Sequence, residues 1–227
     1  MSNLYIIGTP IGNLKDISQR AIDTLNSVDI ILCEDTRVSQ KLLSHFGINK
    51  TLISYHQHST LNQVEKIIKN LEQGKNIALV SDAGTPGISD PGNMLVKEIS
   101  SRLKNVGIIP IPGPSAMITA ASISGFSMDK FVFMGFPPAK NKRQKFFKEM
   151  LEYEIPVIFY ESCHRILKTL GDIEKIDKEL ELVVCRELTK QFETIYRGKI
   201  GEVIDLVKND KIKGEFTVVL KSLGNKS

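Results

Sequence analysis

Two charged segments of this chain follow directly on apolar runs. ESCHR (Glu161 to Arg165) closes VIFYE (Val157 to Glu161), and RELTKQFE (Arg186 to Glu193) closes LVVCR (Leu182 to Arg186). Carboxylates and guanidiniums at the ends of strands suit acid/base work or phosphate binding in an α/β cleft. Arginine–glutamate pairs that only brace the fold are the alternative. Other chemistries are disfavoured. His56 and His58 in SYHQHS have no third ligand nearby, and Cys33, Cys163 and Cys185 are dispersed, so no metal site is expected. Cys163 and His164 are neighbours in sequence, but consecutive residues of a helix point apart, so a thiolate–imidazole pair is not expected either. Three widely spaced cysteines form no disulfide framework and read as reduced packing residues.

Three turns rich in glycine and proline also follow apolar runs. GTPIGN (Gly8 to Asn13) has the wrong glycine spacing for a dinucleotide fingerprint and lacks the GK[ST] of a triphosphate loop, so it is either an ordinary strand-to-helix turn or a loop for another ligand. SDAGTPGISDPG (Ser81 to Gly92) brings three glycines, two prolines and two aspartates together. It would carry backbone amides close to a ligand, and Asp82 or Asp90 could accept from ribose hydroxyls or an amino group. Its plainer reading is a rigid turn in which Asp90 caps a helix. In IPGPSA (Ile111 to Ala116), Ser115 is placed to cap the next helix, and Ala116 is small enough for an adenosine-sized group to approach.

Net charge is +4 over 227 residues, with 41% hydrophobic and 25% charged residues, as in ordinary globular chains. Neither a basic leader nor an apolar run of membrane-spanning length is visible, which points to the cytoplasm. Charge is concentrated in KNKRQKFFK, where Lys140, Lys142, Arg143, Lys145 and Lys148 precede the first acid, Glu149. This stretch is either a solvated helix start or a contact for RNA phosphates.

The elements that would position these residues alternate. LYIIG (Leu4 to Gly8), DIILC (Asp29 to Cys33), TLISY (Thr51 to Tyr55), IALVS (Ile77 to Ser81) and VGIIPI (Val106 to Ile111) read as buried strands. Helical patterns lie between most of them: Ser18 to Ser27, Val38 to Phe46 stopped by Gly47, and Thr60 to Leu71 with a Thr60/Gln63 capping box. After the helix-like SAMITAASIS, strands are expected at FVFMG (Phe131 to Gly135), VIFYE, LVVCR and FTVVL (Phe216 to Leu220), with ETIYRG as one more. The fold class is therefore α/β, with a mostly parallel sheet in an N-terminal lobe, residues 1–112, and a mixed sheet in a C-terminal lobe, residues 113–227, divided at the proline-rich turn, with a cofactor cleft between the lobes. The KSLGNKS tail reads as frayed.

Taken in order, LYIIGTPIGNLKDIS, CEDTR, ISYHQHS, SDAGTPGISDPG, IPGPSA, FYESCHR and RELTK resemble the tetrapyrrole-methylase superfamily from about Leu4 to Leu220, and within it a branch that acts on small-subunit ribosomal RNA. The resemblance implies S-adenosyl-L-methionine as cofactor, a homodimer, and methylation of a cytidine ribose 2′-hydroxyl in the decoding region, within the 30S subunit. Carried over by motif, the cofactor wall comprises Pro10, Asp82, Gly84, Thr85, Ser115 and Ala116, closed by Tyr160, Leu188, Glu215 and Phe216. Two departures stand out. Cys163 occupies a position usually held by proline, and many members continue past this C-terminus, which shifts RNA contact to the Lys140–Lys148 stretch and the dimer.

For such a transfer the protein must align donor and acceptor and lower the hydroxyl's pKa. Glu161, Glu187 and Glu193 are the expected bases, with Arg186 and Lys190 fixing a phosphate or the developing oxyanion, and Arg165 could equally anchor the RNA backbone. A tetrapyrrole or protein methylase of the same architecture, and a non-catalytic RNA-binding module, are the competing functions.

Overall fold

A computed structural model describes residues 2–56 and 61–221. His58, the Thr60 half of the capping box and the tail from residue 222 onward lie outside the described residues. The chain divides into two compact units, Met1–Ser115 and Ala116–Ser227.

The first unit holds β1 (Asn3–Ile7), β2 (Ile30–Cys33), β3 (Thr51–Ser54), β4 (Ile77–Leu79) and β5 (Gly107–Ile111). All pair in parallel, in the order β3-β2-β4-β1-β5. Near-continuous apolar runs suit this sheet because both of its faces are covered. Leu4, Leu32, Ile77 and Leu79 pack into one cluster with Val64, Ile67, Ile68 and Leu71, while Ile7, Ile31 and Ala78 pack into another with Ala21, Leu25 and Leu43. The covering helices are α1 (Gln19–Ser27), α2 (Thr36–His45), α3 (Leu61–Glu72) and α4 (Asn93–Arg102). Ser18 caps α1 by accepting the Ala21 amide, and Gly47, at φ +68°, lets the chain leave α2 in a left-handed conformation. The N-cap of α4 is Gly92, without a side-chain bond, so Asp90 is not its cap.

The second unit holds α5 (Ala116–Ser124), β6 (Val132–Phe133), α6 (Arg143–Leu151), β7 (Val157–Ser162), α7 (Ile166–Glu174), β8 (Glu181–Arg186), β9 (Thr194–Lys199), α8 (Ile200–Lys208) and β10 (Glu215–Leu220). Its sheet is mixed, in the order β6-β7-β10-β8-β9, with only β6–β7 parallel. ETIYRG therefore forms the full edge strand β9. Of FVFMG only Val132 and Phe133 form β6, although the Met134 amide still donates to the Ile158 carbonyl at 2.9 Å and the Gly135 carbonyl accepts the Tyr160 amide at 2.8 Å before the chain turns at Gly135, φ +62°. Cys163 to Arg165 form the turn before α7, not part of the helix, and Arg165 is its N-cap. One core cluster, including Phe147, Phe159 and Phe216, fills the space between the sheet and α6, α7 and α8. The register sets Phe216 opposite both Glu161 and Arg186, which gathers the charged segments at one edge.

Candidate active site

In the first unit the three glycine/proline turns meet at the carboxyl ends of the adjacent strands β4, β1 and β5. Gly8 donates its amide to the Ile111 carbonyl at 3.0 Å. Its Cα lies so close to Gly113 that an added Cβ would stand 2.8 Å from the Gly113 backbone. Thr9 and Gly84 form an isolated antiparallel bridge, amide to carbonyl at 2.9 and 3.1 Å. The Thr9 hydroxyl adds a bond to the Ser81 carbonyl at 3.1 Å, and the Thr85 hydroxyl one to the Pro114 carbonyl at 3.5 Å. Gly84, at φ +80°, is buried beneath this junction, beside buried Pro10 and half-buried Ser115. Residue types alone do not single out the buried Thr9 and Ser81, although both stand inside these turns.

Carboxylates cluster beside that junction. The Asp35 amide, past the end of β2, donates to Asp82 at 3.0 Å. The Arg37 guanidinium binds the Asp35 carboxylate at 2.6 Å and holds it down at about 2. Burial raises Asp82 above the ordinary carboxylate range, and the Asp35 charge adds to this against the Asp35 amide bond. Burial likewise raises Glu34, together with the charge of Asp82 and against that of His56. CEDTR thus supplies Glu34 and Asp35, which the charge pattern alone did not assign.

In the second unit the loop after β8 is a clasp. Glu187 and Thr189 sit in the left-handed region at φ +51° and +65°, a conformation that costs about 1 kcal/mol or more per residue. Glu187 accepts from the Lys190 ammonium at 2.8 Å and from the Glu215 amide at 3.0 Å, and Lys190 reaches Glu215 at 2.8 Å. Burial opposes charge on both partners, yet these bonds lower Glu187 and raise Lys190, so both stay ionised. Glu193 is exposed and accepts the Thr189 amide at 2.6 Å. Leu188 is buried within the loop. Arg186 is turned away from it: its guanidinium donates to the Lys213 carbonyl and to Asp210, each at 3.0 Å.

Glu161 belongs to a buried network. It is 1% exposed and accepts from the Ser162 amide at 2.8 Å, the Thr169 hydroxyl at 2.6 Å and Arg165 at 2.7 Å. Arg143, 6% exposed, donates to Asp172 at 3.0 Å, Thr169 at 2.6 Å and the Pro138 carbonyl at 3.2 Å, and lies over the Phe147 ring. This corrects the expectation that Arg143 contacts phosphate, since its donors are spent inside the unit. Lys140, Lys142, Lys145 and Lys148 are exposed. Arg165 is partly exposed and also holds the Pro137 carbonyl at 3.0 Å. The Tyr160 hydroxyl accepts the Met117 amide in the first turn of α5 at 3.2 Å.

A cavity of about 460 Å³ lies at the opposite end of this sheet, lined by Phe126, Lys130, Pro156 and Lys221 among others, and contains none of the expected site residues. The thiols of Cys33 and Cys185 are buried, and burial pushes Cys185 up to about 12, far from a reactive thiolate. Among the described residues no helix is long and apolar enough to cross a membrane.

The chain is similar to proteins named ribosomal RNA small subunit methyltransferase I. It is 46% identical over 222 residues to the one from Synechocystis sp., covering 97% of this chain and 79% of that protein. For Escherichia coli O157:H7 the identity is 46%, covering 96% and 77%. For Thermotoga maritima it is 43%, covering 97% and 98%. Solved structures of the same fold include a diphthine synthase, at TM-score 0.73 and 14% identity over 97% of this chain and 90% of that one. Another is the cobalamin biosynthetic enzyme cobalt precorrin-4 methyltransferase, at TM-score 0.68 and 17% identity over 96% and 94%. The sequence model of the tetrapyrrole (corrin/porphyrin) methylases matches residues 3–204, and with the parallel and mixed sheets and fused strand-end turns described above, the chain belongs to that family.

Proposed function

We propose that the protein is an S-adenosylmethionine-dependent methyltransferase of small-subunit ribosomal RNA, acting as a cytoplasmic homodimer on a cytidine ribose 2′-hydroxyl in the decoding region of the 30S subunit. One observation carries the cofactor half of this reading: the junction of GTPIGN, SDAGTPG and IPGPSA, where backbone and small residues converge at strand ends. The names of relatives at 43–46% identity support the substrate half.

The residues fit the cofactor chemically. The Asp82 carboxylate, exposed and bound to a single amide, retains acceptor capacity for hydroxyl or ammonium donors. Gly84, Thr85, Ser115 and Ala116 offer backbone groups with little side-chain bulk, and Pro10 stiffens the first turn. In the second unit Tyr160 and Glu215 stand at strand ends, whereas the Phe216 side chain is spent in the core and Leu188 is buried within its loop, so those two could offer a ligand only their backbone. When bound, the cofactor supplies an electrophilic methyl group on a sulfonium. The chain has to orient the acceptor and manage its proton.

Glu161 and Arg186 brace the fold from within, which leaves Glu187 and Glu193 as base candidates and the Lys190 ammonium as the local cation. Glu187 is held ionised by Lys190 and already accepts from the Lys190 ammonium and the Glu215 amide, which weakens it as a proton acceptor. Exposed Glu193 is the better placed, and Glu193→Gln is expected to lower kcat at saturating cofactor while leaving cofactor affinity within about twofold. Lys140, Lys142, Lys145 and Lys148 supply phosphate contacts, with Arg165 at their edge. A net charge of only +4 gives one protomer little basic surface for a ribonucleoprotein, which favours a dimer.

Methyl-labelled cofactor incubated with unmethylated 30S subunits, free 16S RNA or tetrapyrrole precursors tests the reading. Label recovered as 2′-O-methylcytidine supports it. Label in a tetrapyrrole, or none transferred, overturns it. Sedimentation of the free protein decides the dimer.

A further inference from the structure

Phe136 stands just past the turn at Gly135 and is 52% exposed. Its ring is fixed all the same. It meets Tyr160 edge-on, with centroids 5.5 Å apart, and Tyr160 meets Phe133 at 4.9 Å. The backbone on both sides is clamped as well. The Gly135 carbonyl accepts the Tyr160 amide at 2.8 Å, the Pro137 carbonyl accepts Arg165 at 3.0 Å, and the Pro138 carbonyl accepts Arg143 at 3.2 Å. Two consecutive prolines remove further backbone freedom. The buried arginine network therefore holds an open aromatic ring rigidly at the edge of the sheet.

The residues beyond this ring identify its partner. Residues 136 to 148 contain no acid, and four exposed lysines begin four residues after Phe136. A fixed ring beside a run of cations matches single-stranded nucleic acid, whose bases stack on aromatic faces while its phosphates seek ammonium groups. We propose that Phe136 is a stacking platform for an unpaired base of the RNA substrate, with the adjoining phosphates lying along Lys140, Lys142, Lys145 and Lys148. This rests on the reading of ribosomal RNA as substrate and adds to it the residue that receives a base.

The chain contains no tryptophan, so Phe136→Trp installs a single indole at the platform. Titration with 16S ribosomal RNA is expected to quench its emission, and an indole that stays unquenched at saturating RNA overturns the proposal. Phe136→Ala is expected to raise the half-saturating RNA concentration about tenfold or more, the range for loss of one stacked base, with cofactor affinity within about twofold. Phe136→Leu should bind RNA as poorly as the alanine variant. Wild-type RNA affinity in either variant, or a changed sedimentation of Phe136→Ala indicating a contact between copies, overturns it. If wild-type protein binds no ribosomal RNA, the substrate reading itself fails. If wild-type and Phe136→Ala bind equally, only the platform fails.

Discussion

The two units present their strand ends in different materials. In the first, the ends of β4, β1 and β5 are joined by backbone: glycine against glycine at Gly8 and Gly113, and amide against carbonyl at Thr9 and Gly84. In the second, the corresponding edge is made of charged side chains, with Glu161, Arg143, Arg165 and Asp172 locked together under α6 and α7 and Glu187, Lys190 and Glu215 clasped after β8. A backbone junction lets a ligand come close and resists any added atom. A side-chain network spans longer gaps and can hold loops in place, but each member depends on its partners.

The sharpest way to break this contrast is Arg143→Met, which leaves Asp172 with only the exposed Lys175 ammonium at 3.6 Å and removes a donor to Thr169. A loss of about 3–5 kcal/mol in chemical unfolding is expected, because the buried Asp172 carboxylate loses its closest, buried partner. A loss below about 1 kcal/mol would show that the network is ornamental. Gly113→Ala comes next, at about 2–3 kcal/mol with cofactor binding abolished, since the new methyl meets the Gly8 backbone, which cannot yield cheaply. Gly47→Ala serves as its control. Gly47 has positive φ, and a methyl added there would meet nothing within 4 Å, so a cost of about 1 kcal/mol from conformation alone is expected.

Asp82→Asn separates function from stability. Asp82 is raised in the folded chain, so the fold favours its protonated form and loses stability as pH climbs from the unfolded carboxylate range through the folded value. The asparagine variant should melt about 2 °C higher than wild type at pH 7, lose the advantage near pH 3, and bind cofactor about tenfold more weakly. An unchanged cofactor affinity would remove Asp82 from the site. The smallest effect concerns the exposed lysines: replacing Lys140 and Lys145 by alanine should flatten the salt dependence of RNA binding by about 0.7 per lost phosphate contact, with no change in melting temperature.

Much of the scaffold was legible along the chain. Apolar runs marked the five strands of the first unit because buried parallel strands have few polar residues to interrupt them, whereas the half-exposed edge strand β9 carries no such run, and Gly47 and Ser18 marked helix ends through local chemistry that needs no distant partner. β6 is shorter than FVFMG, since nothing in those residue types announces that Gly135 takes a left-handed conformation that ends the regular strand. The strand-end turns were recognisable by composition, and their order carried the family resemblance.

Orientation and partnership were decided only by the tertiary structure. Arg143 looks like its lysine neighbours in KNKRQKFFK, yet it faces inward, because α6 lays that one position against α7, where Asp172 and Thr169 wait 29 and 26 residues further on. Thr9 finds Gly84, and Asp35 finds Asp82, only after β4 has been inserted between β1 and β2. The sequence by itself determined which residue types stand at each strand end, since that depends on local pattern. Which of them meet a ligand and which are spent on one another depends on the order of strands in the sheet, and that order is set by packing between elements far apart in the chain.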